Sequence, residues 1–536
     1  MKKLLVGMLF GACLLAACGQ ETEPDKKQEA TNTPTVTVAP EATTVPEATK
    51  APEVTETPKA EAAVPIRMLM EHKEIKAWEN GRQLYTIIWQ NPLIGGEDAE
   101  KYPAISTVFK ALKSLKDKDL VYLEKNLAET AEDLKQYTGD MEVSCLDSTR
   151  YYVQRADNHI ISMRHNWSSN TGVAHPMTVV SGYNFSTETG AMLSLADVVT
   201  DTAQIKEMVK KKLSEQYIDY LFEGWESLYA EMEIDRRNWT MDYDGLTFYF
   251  SPYELSVYAA GVLTIDIDFA EAPEVFRKNY ITAPEQGSAS AVTFHSYMEL
   301  DGANGKKDTL LVGPFRESVE DYYLKLGIEK NGENILDYEV YAYEYRAYLV
   351  TKAEKHYLFV EATADNDYDV LYVFDLSQDR ITEPLVQMNA GFATVPVPTD
   401  TTDYSFVEEI FNNPAEIRLS SRLDVFRTMS GTRCYTFDAD AKTLVPQTDF
   451  YLLNETQTPL VAKLPVEVTM LSDQSKETVP AGTEFTFLRS DGKTYVEFRL
   501  PDGRECRVTR EESFGWPYTV NGVPEEDVFE GILYAG

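Results

Sequence analysis

Positive charge and cysteine are both scarce in this chain of 536 residues. Lys and Arg number 50 against 87 Asp and Glu, a formal charge of −37. A nucleic-acid binder needs a basic footprint to neutralise phosphates, so that class is excluded. Five cysteines are too few for a disulfide scaffold. Beyond the N-terminus no run approaches ~18 apolar residues, so no later segment reads as a membrane-crossing helix. The patterns H-E-x-x-H, G-x-S-x-G, G-x-G-x-x-G, C-x-x-C and the P-loop are missing, so no catalytic residue, metal site or cofactor is expected. An enzyme acting on wall polysaccharide stays open as the alternative, because paired carboxylates leave no short signature. What the chain does have is apolar material: 43% of residues, with 32 Tyr and 23 Phe. That is enough to bury the cores of three or four domains, at roughly 150 residues each.

The N-terminus has secretory grammar. Lys2 and Lys3 precede an apolar run from Leu4 to Leu15, too short to stay in a bilayer as a spanning helix. It ends Leu15-Ala16-Ala17-Cys18-Gly19, which resembles the lipobox of bacterial lipoproteins. The resemblance implies a leader, 1–18, ending at Cys18, whose thiol carries the lipid. The membrane is then a partner through Cys18, and the chain sits outside the cell on the outer face of the cytoplasmic membrane. Two or more acyl chains make a stable anchor, at about 0.8 kcal/mol per buried CH₂. Residues 19–64 follow as a Thr/Pro/Glu/Ala stalk with no aromatic between Phe10 and Trp78 and with Pro24, Pro34, Pro40, Pro46, Pro52 and Pro58. Such a stretch cannot offset its ordering entropy, and fully extended it would reach roughly 140 Å.

Composition changes near residue 65. Gln83 to Gln90 is rich in strand formers, and Tyr102-Pro103 introduces helical spacing at Ile105, Val108, Phe109, Leu112 and Leu115, then at Leu120, Leu123, Leu127 and Leu134. Strands are expected at 141–145, 150–155 and 159–167. The third puts His165 on an apolar face, as a packed, hydrogen-bonded core residue. Gly172-Val-Ala-His-Pro176 is a turn, Tyr183 to Leu195 a hairpin, and Asp197 lies near the start of a helix with Ile205, Met208, Val209 and Leu213 inward. Asp244 to Gly261 reads as turn, strand, Pro-broken corner and small-residue bend. A strand at 264–268 and a short helix at 270–276 close the unit.

These blocks resemble the extracytoplasmic domain shared by RsiV-type anti-sigma factors and PdaC-type peptidoglycan deacetylases. The likeness rests on Gly172-x-Ala-His175, on Tyr183-Asn-Phe-x-x-x-Thr-Gly-x-x-Leu-x-Leu-x-Asp197, and on Phe250-x-Pro-Tyr-Glu-x-x-x-Tyr258-Ala-x-Gly261, with Tyr102-Pro103 before them. It covers 65–281. It implies a ligand-gripping outer domain, with His175, Tyr183, Asn184, Tyr253 and Tyr258 as candidate ligand-binding residues. The His175 imidazole either orients its loop or faces the ligand. In RsiV-type factors this domain resembles a recogniser of lysozyme. Without Lys2 and Lys3 the chain carries 48 basic and 87 acidic residues, −39, which would speed the approach of a basic partner. The deacetylase half is not expected, since the six histidines never fall four apart.

Residues 282–463 read as mostly β, with strands at 348–351, 357–361 and 370–374 and one helix at 318–326. Asp365-Asn-Asp-Tyr-Asp369 has alternate carboxylates but lacks the Gly and closing Glu of an EF-hand loop, and Asp301 to Asp308 resembles the Asp/Gly-rich loops that bind calcium, with a one-residue irregularity; both read as solvated turns. Cys145, Cys434 and Cys506 allow at most one disulfide. Residues 464–536 alternate at Val466, Val468 and Met470 and turn at Asp491-Gly492 and Asp502-Gly503, which resembles a bacterial SH3-like barrel. The expectation is an α+β multidomain chain: antiparallel sheets with a few helices in 65–281, mostly β beyond, and a small C-terminal β-barrel. Its expected function is that of a lipid-anchored surface protein binding lysozyme, another basic envelope protein, or peptidoglycan.

Overall fold

The computed structural model describes residues 61–535 apart from 139–143, 173–174, 302–305, 319, 365–367, 397–403, 455–456 and 512–516. The leader, Cys18 and most of the stalk lie outside the described residues. Strands β1 (Met68–Glu79) and β2 (Arg82–Ile94) pair through a two-residue turn at Asn80-Gly81. Both turn residues have positive φ, which suits the twist of the flanking strands. The chain then crosses over through one helix, Pro103–Thr138, where two separate helical stretches were expected. Pro103 sits where its missing N–H costs nothing, and 36 residues make a rod about 54 Å long. This crossover lets β3 (Cys145–Ala156) run parallel to β2. β4 (Ile160–Asn170) and β5 (Met177–Ser186) follow antiparallel; the strand expected at 150–155 lies within β3, and the one expected at 159–167 lies within β4 except for His159. Residues 141–143 of the expected 141–145 strand lie outside the described residues.

Alternation gives this sheet two different faces. On one, Ile105 and Phe109 of the helix pack with Val153, Met163 and Phe185, while Leu120, Leu127 and Ala131 cover Ile75, Ile87 and Trp89. On the other lies a second antiparallel sheet of β6 (Trp239–Met241), β7 (Gly245–Phe250) and β8 (Leu263–Asp268). Helix Thr202–Tyr217 backs it with Ile205, Val209 and Leu213. Gly182 on β5 is what lets the sheets meet: a Cβ there would lie 1.7 Å from the Trp239 carbonyl oxygen. Arg155 and Asp157, both fully buried, pair at 2.7 Å, and Arg155 also donates to the carbonyls of Tyr280 (2.6 Å), Asp242 and Thr282. That clasp ties the end of the first unit to its sheet. The expected helix at 270–276 is only a turn, Phe269–Glu271, because Pro273 pushes Ala272 out of the helical region. The return arm of the hairpin expected after Tyr183 is a single bridge, Phe185 to Met192.

The second half is mostly β, and it is woven into the first. Strands Thr394–Pro396 and Tyr404–Glu409 add to β1, making a seven-stranded sheet whose far edge is β5. Asn412 donates to the carbonyl of Ile66 at 2.7 Å. The expected strands fall within Glu344–Lys352, Lys355–Thr363 and Asp369–Asp375, which pair in that order. The expected helix at 318–326 is contradicted. Leu324–Lys330 is a strand held by Lys307–Phe315 on one side and by Glu333–Asn334 and Tyr341–Ala342 on the other, so tertiary pairing overrides local propensity. Among the described residues the C-terminal strands close no barrel. Glu484–Ser490 hydrogen-bonds outward to Tyr451–Leu453, which continues to Thr428–Asp438, so the sheet stays open and extends past residue 464. Phe485, Phe487 and Phe498 share one core with Leu423 and Phe426. Cys145, Cys434 and Cys506 are free thiols, and burial pushes Cys506 up to about 12. The two acidic loops fall partly on 302–305 and 365–367, outside the described residues.

Candidate functional site

The Pro-broken corner after β7 builds an exposed aromatic surface. Ser251 Oγ accepts from the Val180 amide at 3.0 Å, pinning the corner to β5. The Ser251 amide donates at 2.6 Å to Glu254, whose carboxyl is pushed up by burial. The corner closes with Tyr253 at φ +72, a left-handed conformation that costs a tyrosine roughly 1–2 kcal/mol. The strain leaves the Tyr253 ring 59% exposed. His175 comes to it from the turn before β5. Its ring stacks on Tyr258 at 3.9 Å and 26°, and its Nε2 lies 3.3 Å from the Tyr253 hydroxyl. The Tyr258 hydroxyl donates to the Pro176 carbonyl at 2.9 Å. His175 Nδ1 also faces that carbonyl at 3.3 Å. A carbonyl only accepts, so in the neutral ring Nδ1 carries the hydrogen and Nε2 accepts from Tyr253. His175 therefore both orients its loop and remains exposed. Residues 173–174 of this turn lie outside the described residues.

Apolar side chains widen the surface. Met177 and Val257 are exposed, and the Val257 amide donates to the carbonyl of Tyr220, itself exposed. Sequence spacing missed Tyr220 and Val257, since neither repeats with a period that marks a face. Flat aromatic rings with hydroxyl edges suit contact with guanidinium and ammonium groups, and tyrosine is the residue type that anchors protein interfaces.

The other two candidates are elsewhere. Asn184 is fully buried between the sheets: its Nδ2 donates to the Trp239 carbonyl at 2.8 Å and its Oδ1 accepts from Ser162 Oγ at 2.7 Å. It cannot touch a ligand. Tyr183 lies under the long helix, its hydroxyl pushed up by burial, with its ring 5.3 Å from His165. His165 is packed as expected, tilted against Tyr151 at 4.9 Å. It departs from expectation in that its Nδ1 is buried with no partner among the described residues. Burial first, then the charges of Lys116 and Arg237, hold its pKa down at about 3. Lys116 Nζ stands 4.3 Å over the Tyr151 ring and donates to the Gln90 carbonyl at 3.0 Å, with its pKa lowered to about 7 by burial. Among the described residues no group of three or more His, Cys, Asp or Glu is placed to hold a metal, and no helix is long and apolar enough to cross a membrane.

The fold is thus an α+β, mostly β multidomain architecture, with its aromatic surface on the corner between β7 and β8. Residues 196–270, which carry helix Thr202–Tyr217, β6 to β8, Tyr253 and Tyr258, match the family described as a protein of unknown function, DUF3298. A solved DUF3298-family structure from Bacteroides fragilis is similar at 19% identity and a TM-score of 0.30, covering 40% of this chain and 96% of that one. Another, from Pseudomonas aeruginosa, is similar at 12% identity and a TM-score of 0.29, covering 42% and 99%. No curated protein matches. The chain carries a DUF3298 domain.

Proposed function

We propose that this protein is a lipid-anchored surface protein, held through Cys18 on the outer face of the bacterial cytoplasmic membrane, whose RsiV/PdaC-like domain grips an envelope ligand without catalysis. The observation that carries this reading is the surface group of exposed His175 and Tyr253 with half-buried Tyr258, held out by a strained tyrosine. Strain at an exposed aromatic contributes nothing to packing, and a contact surface gives it a use. A charge of −39 after the leader favours a basic partner of the lysozyme kind; peptidoglycan is the other ligand in this class.

The full chain in detergent, immobilised and exposed to lysozyme and to solubilised peptidoglycan at low and high salt, tests the reading. Lysozyme should bind, less tightly at high salt, and His175→Ala and Tyr253→Ala should each weaken it about ten-fold while melting stays unchanged. Release of acetate or reducing ends from peptidoglycan would replace this reading with the wall-enzyme one. Cys18→Ser should abolish lipid labelling and free the protein from the membrane; retention with full labelling would end the anchor.

A further inference from the structure

Between the seven-stranded sheet and the strands Glu344–Lys352 and Lys355–Thr363 opens a cleft of about 1140 Å³. That exceeds the roughly 300–1,000 Å³ of ordinary small-molecule sites and suits an extended ligand. Deep in it, Arg346 is already neutralised: it pairs with Glu361 and, at 2.6 Å, with Glu408, and Glu361 also accepts from the Phe392 amide at 2.9 Å. This trio is structural. Arg150, on β3, is different. It lines the same cleft, half-buried, with no hydrogen bond or ion pair among the described residues, although it lies in the field of Glu408. Beside it His72 stacks on Phe406 at 4.6 Å. Burial, reinforced by Arg150, lowers its pKa to about 4, which leaves the ring uncharged. A guanidinium without a partner in an aromatic-walled cleft calls for an anionic group on the ligand, and a planar carboxylate fits its fork.

The rim supplies the rest. Tyr343 lines the cleft, Tyr323 stacks on it at 4.8 Å and 25°, and Tyr322 stands across Tyr343 at 5.0 Å and 80°. Tyr322 is 75% exposed. On another wall Arg422 lies over the ring of Tyr368. Flat, partly exposed rings pack against the C–H faces of sugar rings, and a guanidinium fork donates to their oxygens; Arg422 is itself held by Tyr368, Asp424 and the Ala535 carbonyl, which leaves Arg150 as that donor. A peptide added to a sheet would instead be read by a backbone ladder. We propose that this cleft binds an oligosaccharide bearing a carboxylate, its sugar faces on the Tyr322–Tyr323–Tyr343 platform and its carboxylate on Arg150. The site is separate from the His175 surface and does not rest on that surface's partner.

Calorimetry on the full chain in detergent tests it. The probe is a tetrasaccharide alternating N-acetylglucosamine with N-acetylmuramic acid, whose lactyl groups carry carboxylates. The comparison ligands are the neutral N-acetylglucosamine tetramer and tetraglutamate. The carboxylated sugar should bind about ten-fold or more tighter than the neutral one. Arg150→Gln should erase that preference and Arg150→Lys should restore part of it. Tyr322→Ala, fully foldable at so exposed a position, should weaken both sugars about five-fold. No sugar binding, equal affinity for both sugars, unchanged affinity in both variants, or tetraglutamate binding as tightly as the carboxylated sugar would each overturn the proposal. Tyr253→Ala should leave sugar affinity intact and Arg150→Gln should leave lysozyme capture intact, so the two sites fail independently.

Discussion

The chain contains two clusters of one histidine with two tyrosines, and they have opposite fates. His175, Tyr253 and Tyr258 stack at the surface around a strained corner. Tyr151, His165 and Tyr183 pack under the long helix, beside a lysine that burial discharges near neutral pH. Residue type is the same, so chemistry alone does not separate a contact surface from a core. Exposure does, and exposure depends on which element lies above each cluster.

The largest expected effect breaks the buried cluster. Lys116 is lowered from 10.5 to about 7, so between those values the unfolded chain binds the proton that the folded chain has lost, and stability rises with pH. Below pH 7 both states carry it and the full burial penalty applies. Lys116→Met should therefore raise unfolding free energy at pH 6.5 by on the order of 3 kcal/mol, after allowing for the lost hydrogen bond to Gln90. It should also flatten the rise between pH 7 and 10 in denaturant titrations. A drop in stability would mean that the carbonyl and ring contacts outweigh burial.

A middle effect separates Asn184 from the residues it was grouped with. Asn184→Ala leaves Ser162 Oγ and the Trp239 carbonyl without that partner in a buried interface, and should cost about 2 kcal/mol in urea unfolding. The folded fraction should bind partner as before; lost binding with unchanged stability would return Asn184 to the site. The smallest effect sharpens the surface cluster. Tyr253→Gly removes the left-handed penalty and should stabilise by about 1 kcal/mol while partner binding falls. A stabler variant that binds fully would show the tyrosine to be mere strain.

Much of this was legible in the residues. Period-two and helical spacing placed β4, β5, the β7 corner and both faces of helix Thr202–Tyr217, because these depend on neighbours within a few residues. Strands 307–315 and 324–330 were not legible as a pair: the helix expected at 318–326 cut across the period-two alternation of Leu324, Leu326 and Ile328, and the pairing with 307–315 is a non-local contact. The open C-terminal sheet was missed for the same reason, since a rhythm of short strands does not say which edge is already occupied. Of five candidate residues, His175, Tyr253 and Tyr258 meet. Tyr183 and Asn184 are consecutive on one strand, so they point to opposite faces, and both faces are covered.

Amino-acid order by itself settled local matters: the acidic balance, the Pro-broken corner after Phe250, and the apolar side of helix Thr202–Tyr217. Tertiary structure alone decided that strands 394–396 and 404–409 extend the first sheet, that Arg346 is spent on two carboxylates while Arg150 is not, and that three tyrosines from 322 to 343 converge at one rim. Local conformation follows from sterics and spacing over a few bonds. Partnership between residues hundreds of positions apart follows from which surfaces the whole chain can bury together, and no short stretch carries that information.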